Sequence, residues 1–393
     1  MPQPIFRNKH FLPFQAAAIL CGFLALPASA QLIALEPDQA GPDFAVQGEY
    51  SGMTEPQGSQ APAKLGAQVV ANGDGNFRVV FFPGGLPGDG WTGTDRFESV
   101  GQTGAGGTGI SGGDYQGSIT GDSLKGGNTG GERFVLIRKN RISPTVGLAP
   151  PAKATVLFDG SSLDEWDNAD KDSRNFFAPL SPIAMTRKKF ANFSLHLEFR
   201  EPFMPFAQGQ PRGNSGLKFL IAKAFFAEIQ ILDSFGNEAR EDECGGIEVF
   251  FAPDVVASFP PLTWQTYDIH LTTPVSADSN AVGKGNMTVW HNGILIHSGR
   301  ELPAMATAVN IALQENGGSV CFRNMWILDG DDKYPFFPGA AVRPGRSAGP
   351  ASGKGPLIRG VGKGRAREIL LRGPEGTYLS NGTRVPIRSI TPR

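Results

Sequence analysis

The stretch GNSGLKFLIAKAFFAEIQILDSFGN, from Gly213 to Asn237, sets Glu228, Gln230 and Asp233 in quick succession among apolar neighbours. Successive side chains of a strand point to opposite faces, so Ile229 and Ile231 turn to a core while Glu228 and Gln230 turn out together. Asp233 has the wrong parity for that outer face. A β-bulge near Leu232 would swing it round to join the other two. Two carboxyl groups on one sheet face suit general acid–base chemistry, in which one takes a proton and the other gives one.

The elements that must hold these residues are strands. The chain has 393 residues, with 52 Gly and 31 Pro and few helix-period runs, which points to an all-β protein rich in turns. From 155 to 330 the patterning is clean. FSLHLEFR turns Leu195, Leu197 and Phe199 one way and His196, Glu198 and Arg200 the other. WQTYDIHL sets Tyr267, Ile269 and Leu271 against Trp264, Asp268 and His270. MTVWHNGILIHSG is a hairpin, because Asn292-Gly293 suits a two-residue turn with positive φ. Some ten to twelve strands, each with one apolar face, pack most naturally as a two-sheet sandwich.

Residues 31–143 read as a smaller Gly-rich β-domain of six to eight short strands, followed at 144–154 by a stiff linker holding Pro144, Pro150 and Pro151. Residues 1–30 have the form of a signal peptide: Arg7 and Lys9, an apolar stretch to Leu26, then Ala28-Ser29-Ala30 as the cleavage site. Leu20 ahead of Cys21 argues against lipidation. An exported, periplasmic or extracellular protein is expected, without a transmembrane anchor. The formal charge of −1 gives no field for nucleic acid. Residues 331–393 form a basic Gly/Pro-rich tail with eleven Lys and Arg from Arg343 onward, which offers an envelope contact. Cys244 and Cys321 remain in the mature chain as a disulfide or as two buried thiols, and no Cys/His spacing fits zinc. The histidines at 196, 270, 291 and 297 read as polar-face residues of strands.

The E-x-Q-x-x-D series resembles the E-x-D-x-x-E device of laminarinase-type glycoside hydrolases, which are concanavalin A-like jelly rolls. Here Gln230 replaces the middle carboxylate and Asp233 is one methylene shorter. A wider resemblance rests on VLFDGSSLDEW, GNSGLKF, AEIQILDS, CGGI, WQTYDIHL, MTVWHNGILIH, IALQENG and VCFRNMWIL in that order. Together these resemble the 3-keto-disaccharide hydrolase family, with the accessory β-domain often fused ahead of it.

The resemblance implies cleavage of a 3-keto-glycoside. A ketone at C3 acidifies the C2 proton, and the group on C1 leaves by elimination. It implies Glu228 as base, Lys218 as enolate stabiliser and Asp233 as acid. Asn214, Ser215, Gln230, Trp264, Gln314 and Arg323 are the implied substrate contacts. A divalent cation is an alternative to Lys218, with Glu228, Asp233, His196 and Glu198 as candidate ligands. The chain departs from the family at Glu315-Asn316, where an Asp-His pair is common, and at Glu248, where a tyrosine is frequent. A non-catalytic glycan-binding sandwich and an envelope-associated structural protein are the alternative readings.

Overall fold

The glycine-rich first region closes on itself. In the computed structural model, eight antiparallel strands form a closed barrel: β1 (Gly48–Thr54), β2 (Lys64–Gly73), β3 (Asn76–Pro83), β4 (Phe97–Gly104), β5 (Gly107–Ser111), β6 (Tyr115–Thr120), β7 (Ser123–Asn128) and β8 (Arg133–Lys139). Each strand pairs with the next, and β8 returns to β1, which leaves no open edge. The interior is filled by side chains such as Val69, Phe77, Val79, Phe134 and Leu136, with Phe81 stacked on Tyr115 at 4.6 Å.

The structure describes residues 32–56, 61–222, 225–278, 281–330 and 333–337, with strand backbone at 370–373, 376–379 and 384–385. The leader and most of the basic tail lie outside the described residues. Among the described residues no helix is long and apolar enough to cross a membrane.

Thirteen further strands build the second region: β9 (Thr155–Phe158), β10 (Trp166–Asp167), β11 (Ala169–Lys171), β12 (Phe177–Pro179), β13 (Ile183–Thr186), β14 (Phe193–Arg200), β15 (Ser215–Ala222), β16 (Phe225–Ile231), β17 (Gln265–Thr272), β18 (Val282–His291), β19 (Ile294–Ala306), β20 (Ile311–Gln314) and β21 (Cys321–Asp329). They form two sheets. The smaller runs β10-β13-β20-β15-β16, and the larger runs β11-β12-β21-β14-β17-β18-β19 with β9 on β21. Leu195, Leu197 and Phe199 meet Leu217, Ile229, Ile231 and Leu313 in one core, as the alternation requires. The fold is all-β, an antiparallel two-sheet sandwich. Asn292 and Gly293 make the β18–β19 turn with φ of 51° and 78°.

Barrel and sandwich belong to one compact unit beginning at Leu32. Phe203 and Leu262, from sandwich loops, enter the barrel's core. The residues after β8 do not hang free. Thr145 donates to Asp268, and the Gly147 N–H donates to Glu198, both at 2.6 Å, so this strap lies across the larger sheet's outer face.

A second join is made by Gly236. Its carbonyl accepts from Arg78 and Arg96 of the barrel, each at 2.9 Å. Its φ is +78°, and a Cβ there would stand 2.6 Å from Val70 Cγ2. Gly236→Ala is therefore expected to lower stability through a left-handed backbone, costing about 1–2 kcal/mol, and through overpacking at the seam, costing about 1–3 kcal/mol. A denaturant titration of the two proteins reads this as a lower midpoint.

Both cysteines are buried free thiols, with Cys244 Sγ 3.2 Å from the Tyr267 hydroxyl. Two histidines depart from the polar-face expectation. His291 and His297 are fully buried, and burial pushes them down to about 3 and about 4, so both are neutral imidazoles in the packing.

Candidate functional site

The outer face of the smaller sheet carries the chemistry. In β15 the inward residues are Leu217 and Phe219, which leaves Gly216 and Lys218 facing out. In β16 the inward residues are Ile229 and Ile231, which leaves Glu228 and Gln230. The antiparallel register sets Lys218 directly opposite Glu228 and Gly216 opposite Gln230. The Lys218 ammonium donates to the Glu228 carboxylate. Gly216 gives the carboxylate its room, because a Cβ there would sit 1.8 Å from Glu228 Oε1.

Glu228 is 7% exposed. Burial pushes its carboxyl up to about 7; Lys218 opposes the shift, and a hydrogen bond with the Glu248 carboxyl adds to it. Glu248 is held there because its backbone N–H donates to the Glu228 carbonyl at 2.9 Å. Glu228, Glu248 and Lys218 thus form two carboxyl groups and an ammonium around one polar spot. Sequence reasoning marked Glu248 only as a departure from the family. The signal that β16 has a neighbour at 247–248 lies in a bridge of Ile229 to Ile247, a tertiary pairing.

Beside the dyad lies an amide network. Gln210 Oε1 accepts from Asn214 at 2.7 Å and from Gln230 at 2.9 Å. Gln210 itself was not singled out by the sequence. Gln314 follows Ala312, the cross-strand partner of Lys218, and shares its outward parity. Five candidates therefore share this face: Lys218, Glu228, Gln230, Asn214 and Gln314.

The others go elsewhere. Ser215 has the inward parity of Leu217, is buried, and donates its hydroxyl to the Gln314 carbonyl at 2.7 Å. Asp233 leaves the strand differently from expectation. The only register shift of the β15–β16 ladder falls between Leu220 and Ala222, and β16 ends at Ile231. Ile231 and Leu232 both enter the core, so the alternation breaks as the chain exits, without a bulge in the ladder. Asp233 then meets Arg212 Nε at 2.6 Å and accepts from the Phe235 N–H. Among the described residues no hydrogen bond or ion pair joins Asp233 to Glu228. Each carboxylate has its own cation.

Trp264, Arg323, His196 and Glu198 are corrected more strongly: they lie on the outer face of the larger sheet, with the sandwich core between them and Glu228. Arg323 stands over the Trp264 ring at 4.0 Å and donates to Glu198 at 2.7 Å. His196 Nδ1 bonds Asp268 at 2.6 Å, and its other nitrogen lies 3.6 Å from Glu198. Burial opposes charge on His196, yet the bonds to Asp268 and Glu198 raise it. Burial works against the Glu198 carboxylate too, but His196, Asn324, the Gly147 N–H and Arg323 bring it down to about 2. This is an ion network that fastens the strap. The four candidate cation ligands do not converge, and among the described residues no group of three or more His, Cys, Asp and Glu side chains is arranged to hold a metal ion.

An antiparallel sandwich bearing a carboxyl dyad and a row of amides on one sheet face has the layout of a carbohydrate-directed protein. Residues 153–328, which span the sandwich, match the model of the 3-keto-alpha-glucoside-1,2-lyase-like domain. Among solved structures the chain is similar to two proteins of Parabacteroides distasonis ATCC 8503, each an inferred glycosyl hydrolase. The first is 26% identical, covering 46% of this chain and 86% of that one with a TM-score of 0.40. The second is 19% identical, covering 45% and 100% with a TM-score of 0.34. A Crh5 transglycosylase in complex with NAG is 13% identical, covering 49% and 92% with a TM-score of 0.27. No curated protein matches the chain.

Proposed function

We propose that this carbohydrate-active protein is exported and cleaves 3-keto-glycosides by base-assisted elimination at the outer face of the smaller sheet. The observation that carries the reading is Glu228, a carboxyl with a pKa near neutrality, flanked by Lys218 and Glu248. A base poised near the working pH is present in the ionised form and still strong enough to take a carbon-bound proton.

In the forward step the Glu228 carboxylate removes the C2 proton of the 3-keto sugar. The electron pair moves into the C2–C3 bond, and negative charge develops on the C3 oxygen, where the Lys218 ammonium offsets it. The enolate collapses, the C1–O bond breaks, and the departing oxygen takes a proton from the Glu248 carboxyl. The acid role thus passes from Asp233, held by Arg212, to Glu248, hydrogen-bonded to the base. Gln230, Gln210, Asn214 and Gln314 supply amides for the sugar hydroxyls. Water adding to the unsaturated product would complete hydrolysis.

The test incubates the chain from Gln31 with 3-keto-trehalose and 3-keto-glucosides, with EDTA and with added Ca²⁺, Mn²⁺ or Zn²⁺. Release of the C1 group, abolished in Glu228→Gln, is the expected result. No release under any condition, together with glycan binding, would leave a binding module. The rising limb of the pH profile follows from the raised carboxyl: turnover should rise about tenfold per unit as the pH climbs toward 7, as a required base with that pKa dictates. A profile flat from pH 5 to 8 would remove Glu228 from the role.

A further inference from the structure

Two cavities lie along the seam between barrel and sandwich. One encloses about 430 Å³ between Asn72 and Arg78 of the barrel and Gln208, Arg212 and Asp233 of the sandwich. The other encloses about 250 Å³ and is lined by Trp91, Pro87 and Val255. They share Arg96, Asn237 and Glu238, so they adjoin as one cleft. The loop 208–212 stands between this cleft and the amide network, with Gln210 on the network and Gln208 and Arg212 on the cleft.

Charge selects the kind of ligand. The guanidinium groups of the lining are already paired: Arg78 and Arg96 with Glu98 at 3.2 and 2.6 Å, Arg212 with Asp233 at 2.6 Å, Arg240 with Glu243 at 2.8 Å. A cleft whose charges cancel has little attraction for an anion. Two uncharged polar side chains on its walls are free. The Asn72 and Gln208 carboxamides, on opposite walls, have no side-chain hydrogen bond among the described residues, and each offers a donor and an acceptor. Trp91 adds a partly exposed indole, anchored by its N–H to the Asp95 carbonyl at 2.8 Å and edge-on to Phe82. Neutral polyhydroxy rings pair with amides at their rims and with an aromatic at their apolar face.

We propose that the barrel–sandwich seam is a second carbohydrate subsite that holds the neutral sugar units of an oligosaccharide beyond the one processed at Glu228. This rests on the carbohydrate reading of the Glu228 face and names its substrate class: a chain of neutral sugars, in preference to a free monosaccharide glycoside.

The experiment titrates the full chain from Gln31 by calorimetry with glucose and with neutral β- and α-linked glucose tri- to pentasaccharides. Asn72→Ala/Gln208→Ala, Trp91→Ala and Glu228→Gln are run beside it. The expected result is binding of the longer saccharides at least about tenfold tighter than glucose, weakened about tenfold or more in Asn72→Ala/Gln208→Ala and in Trp91→Ala, and retained in Glu228→Gln. Because the lining charges are paired, the affinity should change less than about twofold between 0.05 and 0.5 M salt. No binding by the wild type, or equal affinity in the folded Asn72→Ala/Gln208→Ala variant, overturns the seam subsite. Loss of binding in Glu228→Gln with the seam variants unaffected would place all recognition at the sheet face and overturn it too. Turnover of the 3-keto-glucosides is scored separately, so a seam that binds in a protein that does not cleave would sink the catalytic reading alone.

Discussion

Glu228→Gln should lower turnover of a 3-keto-glucoside by about 10²–10⁴-fold, the usual contribution of a positioned general base. The substitution keeps the side chain's size and its capacity to bond Lys218 and Glu248, so the fold and the substrate contacts should survive. The loss is expected in kcat, with KM changed little, because a proton acceptor acts in the transition state and not in binding. The same residue has a stability signature with a definite sign. Its folded pKa of about 7 lies above the ordinary 4.5, so the folded state keeps a proton that the unfolded chain releases. The associated stability is complete below about 4.5 and is lost as the pH rises through about 7. Denaturant midpoints between pH 5 and 8 should therefore fall more in the wild type than in Glu228→Gln. A variant that retains full turnover would show that the base is elsewhere.

The second large effect concerns Arg212. Its guanidinium bonds Asp233 at 2.6 Å and also reaches the Ala71 and Ala207 carbonyls, so it ties the exit of β16 to the barrel. Asp233 is 4% exposed and acts on the buried Glu201, whose carboxyl burial, and then Asp233, push well above the usual range. Arg212→Ala leaves the Asp233 carboxylate buried beside that acid with no cation. The expected cost is about 3–5 kcal/mol, the range for removing one partner of a buried pair. Arg212→Ala/Asp233→Ala should recover part of the loss, and the double-mutant cycle measures the coupling. Additive single effects would mean that Arg212 works through its two carbonyl bonds alone.

The outer-face position of Glu248 shows how one residue could be read wrongly as a mere deviation. Its side chain matters through Glu228, twenty residues earlier in the chain, and the contact exists because Ile247 bridges to Ile229. No local pattern announces such a bridge.

Much of this protein is fixed by local chemistry. The alternation of FSLHLEFR and WQTYDIHL sets which side chains enter the core, because a strand has a period of two wherever it lies. Asn292-Gly293 fixes its hairpin because positive φ at both positions leaves few other turns. The facing of Lys218, Glu228 and Gln230 follows from the same parity. What parity cannot supply is which sheet a strand joins. Trp264, Arg323, His196 and Glu198 have polar-face parity as Glu228 does, but β14, β17 and β21 belong to the larger sheet, so the same rule turns them away from Glu228. Asp233 escaped prediction because the strand ends two residues before it, and its direction is set by Arg212 from another segment. The strap over His196, the closure of the barrel and the seam cleft are likewise products of long-range pairing. Parity is a property of neighbours in the chain, whereas partners in space are chosen by the packing of whole sheets.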